Sequence, residues 1–383
     1  MKILQIIPTL DRSGAEKQMT LLACGLAKEE FEVNVCALTR GGPYADDLKE
    51  AGVPLTVIGK KRKFSPAAYQ RLKSVIRAFR PDIVHTWIFA ANAYGRAAAA
   101  SCGVPKIVCG ERCVDPWKES WHLSVDRALS KKTDAIAANS VGVRDFYVER
   151  GIPASLFEII PNAATPLPPS GVSKDEILRR LGVRLEEGKP LPYLIGMVAR
   201  LWPQKRIRDA IWTAEQLKFT MLDFHLVIIG DGPQRENLLR YRDEIRITDR
   251  VHFIGQRDDV YNFMPHFDLL WSMSGYEGLS NTVMEAMSAG VPVVASDIPG
   301  HRELVLSGKT GVLIPEFYGE PIRRRTEFCR ESFFLLRPGA DETRRRMGAA
   351  AKERIESEFG LSQMLRRYAG LYRRLHNQER RSV

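Results

Sequence analysis

Short apolar runs alternate with amphipathic segments along nearly the whole chain, and the alternation stops once and then restarts. ILQII (3–7), VNVCAL (33–38), DIVHTW (82–87), KIVCG (106–110) and AIAAN (135–139) are separated by segments of helical spacing, notably near 15–28 and 65–79. Runs of this length separated by helices read as strands that pair in parallel, because a parallel pair needs a long crossover. After IIPNAA (159–164) the segment TPLPPSGVS supplies the Pro, Ser and Gly of a linker. The rhythm then resumes with LIGMVA (194–199), FHLVIIG (224–230), VHFIG (251–255), DLLWSM (268–273) and VPVVAS (291–296), with helices expected near 205–218, 233–244 and 280–289. At 383 residues the chain exceeds what one core usually serves. The pattern predicts an α/β protein of two doubly wound units in tandem.

Each unit is therefore expected to be Rossmann-like: an N-terminal domain over 1–165, a linker over 166–190, a second ligand-binding domain over 191–355, and a helix over 356–383 that returns to the first domain. Ligands of such sheets sit at the carboxyl ends of the strands, and the cleft between the domains is the expected place for chemistry. The stretch 316–335 shows neither helical nor strand period, and Gly360 is expected to separate two terminal helices.

Several classes are excluded. Pro8, Asp11 and Arg12 interrupt the opening apolar run before a signal-peptide core forms, and no stretch approaches the 18 apolar residues of a bilayer span. A soluble, cytoplasmic protein is expected. Cys24, Cys36, Cys102, Cys109, Cys113 and Cys329 lack the paired spacing of a disulfide framework or zinc site, so reduced core thiols and no metal are expected. The net charge of +11 gathers in KKRK (60–63), Arg71 through Arg80, RRR (323–325), RRR (344–346) and the tail ERRSV. It suits an anionic partner such as nucleotide phosphate, an anionic membrane or nucleic acid, although solvated helix faces account for much of it. KKRKF, with Phe64 beside four cations, suits peripheral contact with an anionic membrane. Aromatic and basic residues do not interleave as single-strand binding requires, so no nucleic acid is expected.

Phosphate is held where a strand runs through glycine into a helix start, because backbone N–H groups and the helix dipole converge there. Four segments offer this: SGAEKQM with Gly14, VARLWPQK with Arg200 and Lys205, IIGDGPQR, and SGYEGLSNTVMEAM. In IIGDGPQR a dinucleotide fingerprint would need glycine where Arg235 stands, which disfavours an NAD-dependent oxidoreductase. A turn capped by Asp231, with Pro233 starting the helix, explains that segment as well. Glu277 and Glu285 lie eight apart, the first in a loop at a helix mouth and the second two turns in. A carboxylate there can accept the vicinal hydroxyls of a ribose, while N–H groups over 279–281 hold a phosphate. The plainer alternatives are a solvated helical glutamate and two surface cations.

SGAEKQM, PDIVHTW, IIPNAA, GMVARLWPQKR, IIGDGPQRENL, VHFIGQRDDV and EGLSNTVMEAMSAGVPVVASDIPGHRELV together resemble the family 4 retaining glycosyltransferases of GT-B fold. The resemblance runs over nearly the whole chain, and its last segment, with two glutamates separated by seven residues, is the most specific. It implies that Arg200 and Lys205 bind the donor diphosphate, that Glu285 binds the ribose, and that Glu277 lies beside the donor sugar. It further implies base contacts from Phe253 to Gly255, phosphate contacts from Gly278, Leu279 and Ser280, and a loop from Ser13 to Glu16, including Gly14, over the phosphates. Arg200, Lys205 and Glu277 become the catalytic candidates.

The chain departs from the family in places. His85, Thr86 and Trp87 keep only the first histidine of the usual pair, Glu111 and Arg112 stand where a sugar-contacting histidine is usual, and Asn162 is followed by Ala163 and Ala164. His85, Glu111 and Arg112 are taken as acceptor-side candidates. The implied reaction is transfer from a UDP-, GDP- or ADP-sugar with retention, using no cofactor and no metal, the leaving diphosphate helping to deprotonate a saccharide or lipid-linked acceptor. The inner face of a membrane is the implied workplace. Rival readings are a nucleotide-sugar epimerase or hydrolase of the same fold and an anion- or nucleic-acid-binding non-enzyme.

Overall fold

The computed structural model describes residues 1–62, 64–220, 222–317 and 319–378. The backbone divides into two units: Met1–Ala163 together with the chain from Phe359 onward, and Ala164–Glu358.

The first unit carries β1 (Lys2–Ile7), β2 (Glu32–Ala37), β3 (Leu55–Val57), β4 (Ile83–Trp87), β5 (Lys106–Glu111), β6 (Ala135–Ala138) and β7 (Phe157–Ile159). Among the described residues they form one parallel sheet in the order β3-β2-β1-β4-β5-β6-β7. β1 sits between β2, with Ile6 opposite Cys36, and β4, with Ile3 opposite Ile83. Helices cover both faces of such a sheet, so its strands are apolar on both sides. On one face Ile3, Ile7 and Val35 pack with Met19 and Leu22 of the helix Gly14–Leu26. On the other, Leu4, Ile6 and Val84 meet Leu72 and Ile76 of the helix Pro66–Phe79 and Ala98 of the helix Ile88–Ser101.

The helix Leu361–Asn377 belongs to this unit, with Gly360 at its N-cap. Met364, Tyr368, Leu371, Tyr372 and Leu375 recur every three or four residues and so line one face, which joins the core of Ile3 and Leu22. Each such side chain contributes about 1.5–3 kcal/mol on leaving water. Arg373 on Glu30 and Arg374 on Glu158, both at 2.8 Å, flank the packed face.

The second unit holds β8 (Tyr193–Val198), β9 (Phe224–Ile229), β10 (Val251–Phe253), β11 (Leu269–Ser272), β12 (Val293–Ser296) and β13 (Gly311–Ile314), parallel throughout in the order β10-β9-β8-β11-β12-β13 among the described residues. The fold is thus two Rossmann-like α/β sheets.

Three stretches differ from the sequence reading. Residues 166–190 are more than a linker: the helix Lys174–Arg180, capped by Ser173, buries Ile177 and Leu178, and Lys174 pairs with Asp268 at 2.7 Å. Ser170 donates to the Asn262 carbonyl at 3.0 Å, which stitches the same segment to the second unit. Most of 316–335 is helix, Pro321–Leu336, whose buried face reads Arg324, Phe328, Ser332, Leu335 and Leu336. Polar residues at two of those positions hid the period. Arg324 and Arg325 each reach Asp209 at 2.7 Å, and Ser332 accepts the Trp271 indole N–H at 2.8 Å. The helix after β9 starts at Arg235 with Gln234 as its cap, while Asp231 turns back to the N–H of Gly232 at 2.7 Å.

The basic clusters divide in the same way. Arg324 and Arg325 hold Asp209, and Arg344 donates to the Leu335 carbonyl at 2.5 Å, so these cations serve the interior. Lys61, Arg62, Arg71, Arg77 and Arg80 are exposed. Lys63 and the tail ERRSV lie outside the described residues. All six cysteines are free thiols, and burial pushes that of Cys36 up to about 12.

Candidate functional site

Strand order in the second unit turns around between β8 and β11: the chain leaves β8 toward β9 on one side and leaves β11 toward β12 on the other. Loops at the carboxyl ends of two such strands diverge and leave room for a ligand. The loop after β8 carries Arg200 and, on a short turn Pro203–Lys205, Lys205. The loop after β11 carries Glu277 and runs into the helix Asn281–Ser288.

These loops are laced together. The N–H of Gly275 donates to the Gln204 carbonyl at 2.9 Å, and the Gln204 side chain donates to the Tyr276 carbonyl at 2.7 Å. Lys205 bonds directly to the carboxylate of Glu277, a group with 11% of its side chain exposed. Burial opposes charge on Glu277, yet the Lys205 ammonium and a hydrogen bond from Ser274 hold its carboxyl below the ordinary value. Arg200 is exposed over the Trp202 ring at 5.7 Å, and no carboxylate lies within ion-pair reach of it among the described residues. Arg206 follows Lys205 in the left-handed region at φ 51° and grips Glu316 through two hydrogen bonds at 2.7 and 2.9 Å. A side chain at Gly275 would meet that guanidinium at 2.8 Å.

The helix Asn281–Ser288 is capped by the Ser280 hydroxyl, which accepts the N–H of Val283 at 3.4 Å. Leu279 and Ser280 are buried at its mouth, and Glu285, half-buried, lies on the helix between buried Met284 and Ala286. Gly300 abuts this mouth so closely that a Cβ there would lie 1.6 Å from the Gly278 carbonyl oxygen. His301 beside it is wholly buried. Its Nδ1 lies 2.8 Å from the Ser296 carbonyl, an acceptor only, so Nδ1 carries the proton and Nε2 faces the Ser272 hydroxyl at 3.1 Å. Burial lowers its pKa despite the Glu277 carboxylate.

The glycines of the neighbouring loops also serve close approach. Gly230 at φ 143° would place a Cβ 1.9 Å from the Ala199 carbonyl oxygen, and Gly232 one 2.8 Å from the backbone of Leu201. The segments after β8 and β9 can therefore touch only through glycine. Gly255, at φ 73°, lies two residues past β10, and its carbonyl accepts the N–H of Gly230 at 2.8 Å.

In the first unit Gly14 opens the helix after β1. Ser13 at the N-cap and Thr9 both donate to Glu16, whose carboxyl burial raises.

The acceptor-side candidates of the sequence reading, His85, Glu111 and Arg112, lie at β4 and β5 and are all buried in the first unit. His85 is wholly buried, its Nδ1 2.7 Å from the Tyr372 hydroxyl and its ring 4.6 Å from that of Trp87. Burial, with Arg112 nearby, pushes its pKa down. Arg112 is bonded to Asn162 and to the Tyr368 hydroxyl at 3.2 Å. Glu111 accepts from Asn92 at 3.0 Å and faces Lys118 at 3.7 Å. The helix Leu361–Asn377 covers His85 and Arg112 with Tyr368 and Tyr372, which closes these two residues into the interior. The sequence reading also missed Gln204, Arg206, Ser274, His301 and Glu316. Glu316 is 110 residues from its partner, a distance no local pattern spans.

Known proteins agree with this architecture. A model described as Glycosyltransferase Family 4 matches residues 12–166, and one described as Glycosyl transferases group 1 matches residues 192–320. The chain is 27% identical over 341 residues, 81% of its length and 82% of the relative's, to the UDP-Gal:alpha-D-GlcNAc-diphosphoundecaprenol alpha-1,3-galactosyltransferase of Escherichia coli. A 28% match to N-acetyl-alpha-D-glucosaminyl L-malate synthase of Bacillus anthracis takes in 42% of that protein and 44% of this chain. The crystal structure of Anabaena HepE with UDP-glucose superposes with a TM-score of 0.84 at 20% identity, over 98% of this chain and 100% of that one. Two Rossmann-like units of this arrangement define a protein of GT-B fold. The chain belongs to the family 4 glycosyltransferases.

Proposed function

We propose that the chain transfers a sugar from a nucleoside diphosphate sugar to an acceptor hydroxyl with retention at the anomeric carbon. The observation that carries this reading is the meeting of Lys205, Glu277 and the mouth of the helix Asn281–Ser288 at the carboxyl ends of β8 and β11, with Arg200 on the same β8 loop. In it Arg200 and Lys205 bind the diphosphate, helped by N–H groups near Gly278, Leu279 and Ser280. Glu285 accepts the ribose hydroxyls, and the chain from Phe253 to Gly255 lines the base. Glu277 stands beside the sugar, and the Gly14 loop is assigned to the phosphates. The bond from the anomeric carbon to the diphosphate oxygen breaks with its electron pair leaving on that oxygen. The acceptor oxygen bonds to the same face of the carbon, and its proton passes to the diphosphate. Two cations and a helix mouth offset the charge that builds on the leaving group.

UDP sugars are the donors to test first, because the E. coli relative is named for UDP-Gal and HepE was solved with UDP-glucose. The acceptor is assigned to the lipid-linked saccharides, the class named in that E. coli relative. Phe64, 82% exposed beside Lys61 and Arg62, supports work at an anionic bilayer. Incubating the protein with UDP sugars and lipid-linked saccharides tests the reading: acceptor-dependent glycoside is expected, and it is expected to vanish in Arg200→Ala and Lys205→Ala. Near-normal turnover in both variants refutes the assignment. Failure to sediment with phosphatidylglycerol vesicles at low salt refutes the membrane part.

A further inference from the structure

The first unit exposes aromatic carbon, while its acceptor-side candidates His85, Glu111 and Arg112 are buried. Trp117 and Trp121 are each 51% exposed and converge with His122 on Phe89. Phe89 follows β4, and the tryptophans lie on the segment after β5, so the cluster stands at the carboxyl edge of adjacent parallel strands. That edge is the ligand side of a doubly wound sheet.

The cluster is held rigidly. The N–H of Trp117 donates to Asp115 at 3.0 Å and that of Trp121 to Glu119 at 2.8 Å, which fixes both indoles by their polar edges. His122 stacks on Trp121 at 3.5 Å, and its Nδ1 accepts the N–H of Glu119 at 3.1 Å. Between the tryptophans Lys118 points inward with its side chain fully buried, bonded to Asp126 at 2.9 Å and the Tyr147 hydroxyl at 2.7 Å, and 4.9 Å from the centre of the Phe89 ring. Ile88, a β-branched residue at φ 54°, carries the backbone strain that presents Phe89.

We propose that Phe89, Trp117, Trp121 and His122 form a stacking platform for a neutral pyranose ring of the acceptor. This deepens the transfer reading and rests on it. A pyranose offers an apolar C–H face to an indole and a rim of hydroxyls to a carboxylate, and the platform has both halves, the Trp121 indole being edged by the exposed Glu119. The exposed Glu119 carboxylate repels an anionic bilayer. Two half-exposed indoles leave roughly 250 Å² of ring surface, against the roughly 800 Å² per partner of a stable dimer, so the platform fits a sugar ring and is too small to hold a second copy.

The test titrates the full chain with octyl glycosides of glucose, galactose, mannose and N-acetylglucosamine, read by tryptophan fluorescence and saturation-transfer NMR. At least one glycoside is expected to bind saturably, to weaken fivefold or more in Trp117→Ala and Trp121→Ala, and to be recovered in Trp117→Phe. Phe219→Ala, at an exposed aromatic of the second unit, is expected to change nothing. UDP-induced thermal stabilisation, measured on the same samples, reports the donor reading separately and is expected to survive in every variant. Absence of binding by all four glycosides, equal binding by both alanine variants, or self-association that Trp117→Ala abolishes would each overturn the platform while leaving the donor reading to its own result.

Discussion

Lys205 and Glu277, 72 residues apart in the chain, form an ion pair that closes the gap between the loops after β8 and β11. The cation assigned to the donor diphosphate thus has a carboxylate partner within the second unit. A diphosphate binding there would share Lys205 with Glu277, whereas exposed Arg200 is already presented to a ligand.

That pairing makes a pH prediction. Glu277 has its folded pKa held below the ordinary value, so the stability it contributes is complete above the unfolded pKa and is lost as pH falls through the folded one. Glu277→Gln is expected to cost about 2–3 kcal/mol at pH 7. Urea unfolding should show the gap from wild type shrinking below about pH 4.5; a gap constant from pH 7 to pH 3 would show that the ion pair contributes nothing.

His225 and His252, at the amino ends of β9 and β10, predict a second pH effect at a place remote from the proposed chemistry. Their ring nitrogens lie 2.9 Å apart, and burial depresses both, His252 to about 4 with His225 and Arg242 adding to the effect. Because the unfolded chain binds these protons first, stability is present above about pH 6.5 and declines toward pH 4. Replacing His252 by Gln should flatten that decline in a pH series of melting temperatures, and an unchanged slope would remove the pair from the account.

Lys118→Met tests the buried network beneath the tryptophans. Glu111, Asp115 and Asp126 face Lys118 and Arg96 there, and burial already raises the carboxyls of Glu111 and Asp115. Removing one cation leaves buried carboxylates short of a partner, a loss of about 3–5 kcal/mol. Calorimetry showing less than about 1 kcal/mol would mean that water reaches these groups.

Gly300→Ala is expected to lower stability by about 2–3 kcal/mol, because its Cβ would overlap the Gly278 carbonyl at the helix mouth. Gly41→Ala, where no atom lies within 4 Å of the added carbon, is the control and is expected to stay within about 0.5 kcal/mol. Equal melting temperatures for the two variants would contradict the close approach.

Strand runs such as FHLVIIG and the glycine turns after them were legible because parallel strands buried on both faces are continuously apolar, a signal that needs no partner. The helix Pro321–Leu336 was not, since Arg324 and Ser332 occupy inward positions and make sense only beside Asp209 and Trp271. Arg200, Lys205, Glu277 and Glu285 could be named from their places after strands and at a helix mouth. The pairing of Lys205 with Glu277 could not, because contact between distant loops is decided by sheet order. The burial of His85, Glu111 and Arg112 was not legible for a related reason: a terminal helix 250 or more residues away covers His85 and Arg112 through Tyr368 and Tyr372, and Lys118 turns inward onto Glu111.

The most direct measurement of the central claim is isothermal titration of UDP, GDP and ADP into the wild-type chain and into Arg200→Ala and Lys205→Ala. A charge-assisted hydrogen bond to phosphate contributes about 1.5–3 kcal/mol, so at least one nucleotide should bind the wild type and bind each variant about 10- to 100-fold more weakly, with melting temperatures little changed. Undiminished affinity in both variants would contradict the placement of the diphosphate at the ends of β8 and β11.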